Sequence, residues 1–247
     1  MRARFDDAVR RTASGRPCFV GFLNEHGVAL LRPLARHVEK GGVRVIFWGG
    51  SENCERLLAG VFYDEEREDG QLRAEFPVTA LKIVKKDASA QLCHRDYLGA
   101  LLALGISRDK TGDIFVGEDG ALLMCDPQIA VFVISELKTV GKCAVGVDFG
   151  DEKCYNRTDN RVLCEISVSS ARLDAVLAPL LHLSRGRVQE LIRGGGVFVN
   201  GCRQLHTDAV LKCADTFSAT GYGKYRFESA EVRGKKGRLH IVVTIYG

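Results

Sequence analysis

Three consecutive glycines, Gly194–Gly196, constrain this chain more than any other feature. They separate SRGRVQELIR (184–193), which has the apolar spacing of a helix, from VFVNG (197–201), which reads as a strand closing on an Asn-Gly hairpin turn. Ser184 is a good N-cap residue. Wound at about 100° per residue, the segment puts Val188, Leu191 and Ile192 on one side, while Arg185, Gln189 and Arg193 recur at i, i+4 and i+8 on an adjoining exposed stripe. Such a helix fixes one side to its domain and presents guanidinium forks suited to phosphate oxygens on the other. The glycines end it and permit a tight turn into the strand.

Just upstream, RLDAVLAPLLHL (172–183) places Leu173, Val176, Leu177, Leu180 and Leu181 on one helical stripe. Pro179 lies inside that stripe and is expected to kink or shorten the helix. Asp174 reads as an orienting partner for a nearby arginine or as a helix-start residue, with no catalytic role.

The formal net charge of +4 conceals an asymmetry. From Arg172 onward twelve basic side chains face six acidic ones, a net +6, whereas residues 1–171 sum to −2. A bias of this kind concerns partners rather than fold, and a polyanion is the first candidate. No run approaches the roughly 20 apolar residues of a membrane span. The N-terminus has no secretory core, and Asp6 and Asp7 argue against an organelle transit peptide. These signs point to a cytoplasmic protein with no membrane partner.

An α+β chain of several parts is predicted. In the first part, residues 1–74, GGVRVIFWGG (41–50) reads as a buried strand and residues 22–40 and 51–60 as helical, with an acidic loop at 63–71 marking a boundary. In residues 75–150, VTALKIVKK (78–86) alternates like a strand and HRDYLGALLALG (94–105) has helix length. DIFVGEDGALLMCD (113–126) reads as two strands about an Asp-Gly turn, PQIAVFVISELKTVG (127–141) as a helix and CAVGVDF (143–149) as a last strand. That order, β-α-β-β-α-β, is the ferredoxin-like arrangement shared by RNA-recognition modules, although their aromatic stacking signature is absent. Residues 151–168 read as a polar linker, and residues 169–247 form the C-terminal domain.

Nine cysteines, an odd number with no C-x-x-C pair, argue against a zinc site and a disulfide framework alike. Most, such as Cys93 and Cys143, read as small core residues in a reducing compartment. His182 and His206 have no ligand-spaced partners, so no metal or cofactor is expected. His94-Arg95-Asp96 matches the start of a kinase catalytic loop, but position 101 is Leu rather than Asn and no G-x-G-x-x-G covers a nucleotide. Tyr222 and Tyr225 have the alternation of packed strand residues more than of a base-stacking pair.

Arg172-Leu173-Asp174, Ser184-Arg185, Leu191-Ile192, Gly196 and Val199-Asn200-Gly201 fall in the order of a known pattern. The segment resembles the small RNA-binding domain named after small-subunit ribosomal protein four, the S-four domain. HRDYLGALLALGISRDKTGDIFV (94–116), with its continuation to about residue 145, resembles the middle domain of YlmH-type proteins, which carry an S-four domain at the C-terminus. GGSENCERLLAGVFYDE (49–65) is a weaker match to the same family.

The resemblance implies a non-enzymatic, monomeric protein that binds ribosomal RNA or tRNA, engages the large ribosomal subunit and acts in translation or in rescue of stalled ribosomes. On that analogy Arg172 and Arg185 are the first RNA contacts, with Ser184, Arg187, Gln189 and Arg193 extending the face. Lys212, Lys224, Arg226 and the hairpin at 232–239 would add backbone contacts. The rival expectation is an RNA-modifying enzyme, a pseudouridine synthase or methyltransferase with an appended RNA-binding domain. The only Arg-Leu-Asp triplet belongs to the small domain, and no glycine-rich nucleoside site follows a strand.

Overall fold

The computed structural model describes residues 1–52, 54–64, 66–151, 162–233 and 238–246. The chain divides into two compact units, Met1–Thr158 and Asp159–Gly247.

The first unit opens with α1 (Arg2–Thr12), β1 (Cys18–Leu23), α2 (Glu25–Val38), β2 (Val43–Trp48) and β3 (Leu57–Tyr63). The strands form an antiparallel sheet in the order β1-β3-β2. Phe5 and Ala8 of α1 and Val28, Leu31 and Ala35 of α2 pack on Val20, Val45, Ala59 and Val61. The Asn24 carboxamide oxygen starts α2 by accepting from the Gly27 N–H at 2.9 Å, so residues 22 and 23 belong to β1 rather than to the helix. The expectation of a helix over 51–60 fails. LLAGVFY is the central strand, with Ala59 and Val61 packed under α1 and α2 on one face and Leu58 and Phe62 packed against Phe22 and Phe76 on the other, and a strand with both faces covered lacks the period-2 alternation by which it would be read.

A short helix, α3 (Asp69–Arg73), follows in the acidic segment. Next come β4 (Thr79–Lys85), α4 (His94–Ala103), β5 (Thr111–Gly117), β6 (Gly120–Cys125), α5 (Pro127–Glu136), β7 (Thr139–Val140) and β8 (Cys143–Phe149). The antiparallel order β5-β6-β4-β8 is that of the ferredoxin-like fold, with β7 added at the edge. The last helix ends at Glu136, earlier than Gly141, because Leu137 turns into the core and the chain becomes extended, burying Val140. Tyr97, Leu101, Ala130 and Val133 cover Leu81, Ile83 and Leu123 on one face. Part of the other face, where RNA-recognition modules stack bases, is occupied: Ala80, Leu122 and Met124 pack with Cys54 and Val78.

Most of segment 151–168 lies outside the described residues, but Val162–Val168 is a strand, β9, not a linker. It pairs with β14 at the far end of the chain, a partner that its local polarity does not reveal. The second unit continues with α6 (Leu173–Leu180), α7 (Arg185–Arg193), β10 (Val197–Val199), β11 (Cys202–Arg203), β12 (Thr216–Ala219), β13 (Gly223–Arg233) and β14 (Arg238–Tyr246). One antiparallel sheet in the order β11-β10-β12-β13-β14-β9 packs a single face against both helices. Residues 234–237, the tip of the basic hairpin, lie outside the described residues.

Candidate nucleic-acid interface

Leu173, Val176 and Leu177 of α6 and Val188 and Ile192 of α7 are wholly buried against Val197, Phe217, Phe227, Ile241 and Val243, which sets the rotation of both helices. Leu191 and Leu180 are half-buried at the edge of the same cluster. Ser184 caps α7 by accepting from the Arg187 N–H at 3.3 Å, so its hydroxyl oxygen is a helix-start group. At the other end Gly195 adopts φ +75°, and a Cβ there would meet the Arg203 side chain at 3.1 Å. A Cβ on Gly196 would strike Leu191 Cδ1 at 2.8 Å. Only glycine permits this helix-to-strand passage without displacing its neighbours.

This packing brings Arg172, Arg185 and Gln189 onto one carboxylate. Arg185 donates from Nε and Nη2 to Asp174 Oδ2 and Oδ1, both at 3.0 Å. Arg172 donates from Nε and Nη2 at 3.2 and 3.3 Å, and Gln189 Nε2 donates to Oδ2 at 2.8 Å. Asp174 is 0% exposed, while the Arg172 and Arg185 side chains above it are 38% and 47% exposed. The carboxylate is thus shallow but dry, roofed by guanidiniums. Burial by itself raises its pKa, yet the hydrogen bonds from Arg185, Gln189 and Arg172 outweigh that and hold it at about 2. The same pairing raises the Arg185 pKa. Asp174 is the orienting partner expected of it, and its reach extends to three side chains.

The rest of the predicted face is looser. Arg187 pairs with Glu190 at 2.8 Å in the open, and Arg193, exposed in the last turn, makes no hydrogen bond or ion pair among the described residues. Both arginines bond Asp174 through Nε and Nη2, and neither Nη1 makes a hydrogen bond among the described residues. The helix side therefore presents two guanidiniums held on Asp174, a third at Arg187 paired with Glu190 and a fourth, exposed, at Arg193.

Lys224 and Arg226 do not join that face. Tyr225 and Phe227 take the inward positions of β13, so strand alternation directs Lys224 and Arg226 to the opposite side of the sheet. There Lys224 Nζ lies 5.5 Å from the Tyr246 ring centroid, and Arg226 lies 3.8 Å from Glu228. Lys212 is exposed in the loop before β12, its backbone N–H held by Asp215. Tyr225 is buried, stacked on Phe217 at 5.4 Å, which makes it a packing residue; Tyr222 is half-exposed at the adjoining turn.

Phe198 and Arg203 share the outer sheet face with Lys224, and the Val-Phe-Val alternation is the one trace in the sequence that Phe198 points away from the core. In the first unit Arg56, which no sequence motif marks, holds a structural position. This guanidinium donates to the carbonyls of Thr111, Phe22 and Arg108 at 2.7 to 3.0 Å, while Asp113 accepts from the Glu55 and Arg56 N–H groups. Burial and the nearby Arg108 lower the Arg56 pKa to about 10, and burial raises that of Asp113. The group ties the first sheet to the ferredoxin-like one.

His94-Arg95-Asp96 is a helix start. The Asp96 carboxylate accepts from the Cys93 N–H at 2.8 Å, closing a capping box on α4. Cys93, at the N-cap, is exposed rather than a core residue; Cys125 and Cys143 are buried, and Cys202 and Cys213 are exposed. Among the described residues no cluster of His, Cys, Asp or Glu has metal-binding geometry, and no helix is long and apolar enough to cross a membrane.

Residues 171–203 match the family model of the S4 domain, the S-four domain, and residues 72–152 match a model described as "Putative RNA-binding domain in YlmH". A ferredoxin-like block followed by this C-terminal unit defines a multi-part protein of the RNA-binding class. A protein of Bacillus subtilis (strain 168), "Ribosome-associated protein quality control protein P2", is 30% identical over 200 residues, 81% of this chain and 77% of the relative. A solved structure, "Cell division protein ylmH from Streptococcus pneumoniae", superposes with a TM-score of 0.48 at 20% identity over 62% of this chain and 92% of that one. The chain belongs to the YlmH family.

Proposed function

We propose that the protein binds ribosomal RNA, tRNA or both through the arginine face of α6 and α7, and acts in the cytoplasm, as a monomer, on stalled large ribosomal subunits. The observation that carries this reading is the Asp174 hub. A dry carboxylate that holds two half-exposed guanidiniums lowers the entropy lost when they meet phosphate, and it does so where the net charge is +6. The name of the B. subtilis relative supports the ribosomal setting.

The protein is read as a non-enzyme. The Asp of its only Arg-Leu-Asp triplet is solvent-excluded and accepts five hydrogen bonds, a poor state for a catalytic carboxylate, which speaks against the pseudouridine synthase alternative.

Co-sedimentation with purified ribosomal subunits across a salt series tests the proposal. Binding to the large subunit that falls steeply with salt is expected. Absence of binding to either subunit, to tRNA and to ribosomal RNA at low salt would overturn it.

A further inference from the structure

The sheet face of the second unit that turns away from α6 and α7 carries a row of side chains fixed by register. Arg203 stands opposite Phe198, Phe198 opposite Ser218, Ser218 opposite Lys224, and Lys224 opposite Tyr246. Directly opposed residues of antiparallel strands project to the same side, so these five line up across β11, β10, β12, β13 and β14. Their neighbours Val199, Phe217, Tyr225 and Ile245 point into the core instead.

The chemistry of the row alternates. Arg203 Cζ lies 5.9 Å from the centroid of the Phe198 ring, and Lys224 Nζ lies 5.5 Å from that of Tyr246. Arg203 is exposed and the other four are half-buried, so both rings are partly open to solvent, each with a cation over one face. Arg226 stands in the adjacent row. The acidic groups of this face, Glu228, Glu231 and Glu165, lie further along β13 and β9, and Glu228 is engaged by the Thr244 hydroxyl at 2.6 Å.

We propose that this row is a second RNA site, one that stacks the unpaired bases of a single strand while its cations meet the backbone. The inference rests on the RNA-binding reading above and adds a substrate class to it. A ring with a cation over one face offers a base its remaining aromatic surface, and offers the phosphate a counter-charge within one side-chain length. Four strand spacings give the row a length of about 19 Å, room for the two or three bases that sheet-face readers stack. Paired bases inside a duplex have no free face, so the row selects single strands, whereas the guanidiniums on the helix side meet phosphates in either form. Both helices of the unit lie on the other side of the sheet, so the two sites are separate.

The test uses the full chain and fluorescence anisotropy with a short labelled oligouridylate and a blunt RNA duplex. Tyr246→Ser is expected to weaken oligouridylate binding about tenfold, with Tyr246→Phe near wild type and duplex binding unchanged by both. Lys224→Gln and Arg203→Gln, which leave the rings in place, should weaken the same probe and cover the case in which Tyr246→Ser folds poorly. Arg193→Ala should do the reverse, weakening the duplex more than the single strand. If all the row variants bind oligouridylate as wild type does, or if the wild type binds duplex but no single strand, this site is wrong and the helix-face reading stands. A wild type that binds neither probe sinks both.

Discussion

Arg185 and Asp174, eleven residues apart on different helices, meet through two hydrogen bonds of 3.0 Å that leave the carboxylate without contact with water and the guanidinium half in it. The pair joins α6 to α7 and orients Arg185 at the same time, so its stability role and its proposed binding role are not separable by a single deletion. Arg185→Ala should therefore weaken RNA binding and also lower the unfolding free energy by about 1–3 kcal/mol, as expected when a buried carboxylate loses charged donors. Urea unfolding and ribosome co-sedimentation on the same preparation check both halves.

Arg193→Ala is the contrasting case. Its side chain is exposed and bonds to nothing among the described residues, so stability should stay within about 0.5 kcal/mol of wild type. RNA affinity should drop, and the slope of log affinity against log salt should flatten by about one counterion. A salt titration with an unchanged slope would remove Arg193 from the interface.

Acid sensitivity follows from the depressed carboxyl. The Asp174 pKa of about 2 lies below the ordinary value near 3.8, so the folded state binds the proton less readily than the unfolded chain does. The hub's contribution is fully present above about pH 4 and is lost as pH falls through about 2, amounting to about 2 kcal/mol. Asp64 of the first unit, held at about 2 chiefly by the Arg67 N–H and side chain, titrates in the same window. The diagnostic is thus the difference between wild type and Asp174→Asn in unfolding of the second unit by acid titration, with the variant expected to show the flatter curve.

Gly195→Ala probes the turn that limits the fold. The residue needs φ +75°, and its new methyl would press on Arg203. A loss of about 1–2 kcal/mol is expected from the left-handed backbone alone, read as a lowered urea midpoint with unchanged slope.

Arg56→Leu should destabilise the first unit by about 2–4 kcal/mol, since three carbonyls lose one shared donor and Asp113 loses a nearby positive charge. The fluorescence of Trp48, in the first sheet, should report the earlier transition, while RNA binding by the second unit below that transition should not change.

The helical stripes of 172–183 and 184–193, the Ser184 cap, the glycine break and the βαββαβ order were legible because each depends on neighbours within a few residues. The helical expectation for 51–60 and the linker at 162–168 failed for the opposite reason. β3 is defined by strands on both sides and β9 by β14 more than seventy residues away, and neither partner leaves a trace in local spacing. The site divides in the same manner. Which residues are basic, and that they cluster after Arg172, is plain in the chain itself.

What the sequence determined by itself was the identity and local phase of those side chains, because helix period, caps and glycine torsions act at short range. The tertiary structure decided where their charges go. Packing of α6 on α7 drew Arg172, Arg185 and Gln189 inward to Asp174, and sheet register sent Lys224 and Arg226 to the far face beside Phe198 and Tyr246. A buried carboxylate and a row across five strands both arise from contacts between distant segments, and only a closed core brings those segments together.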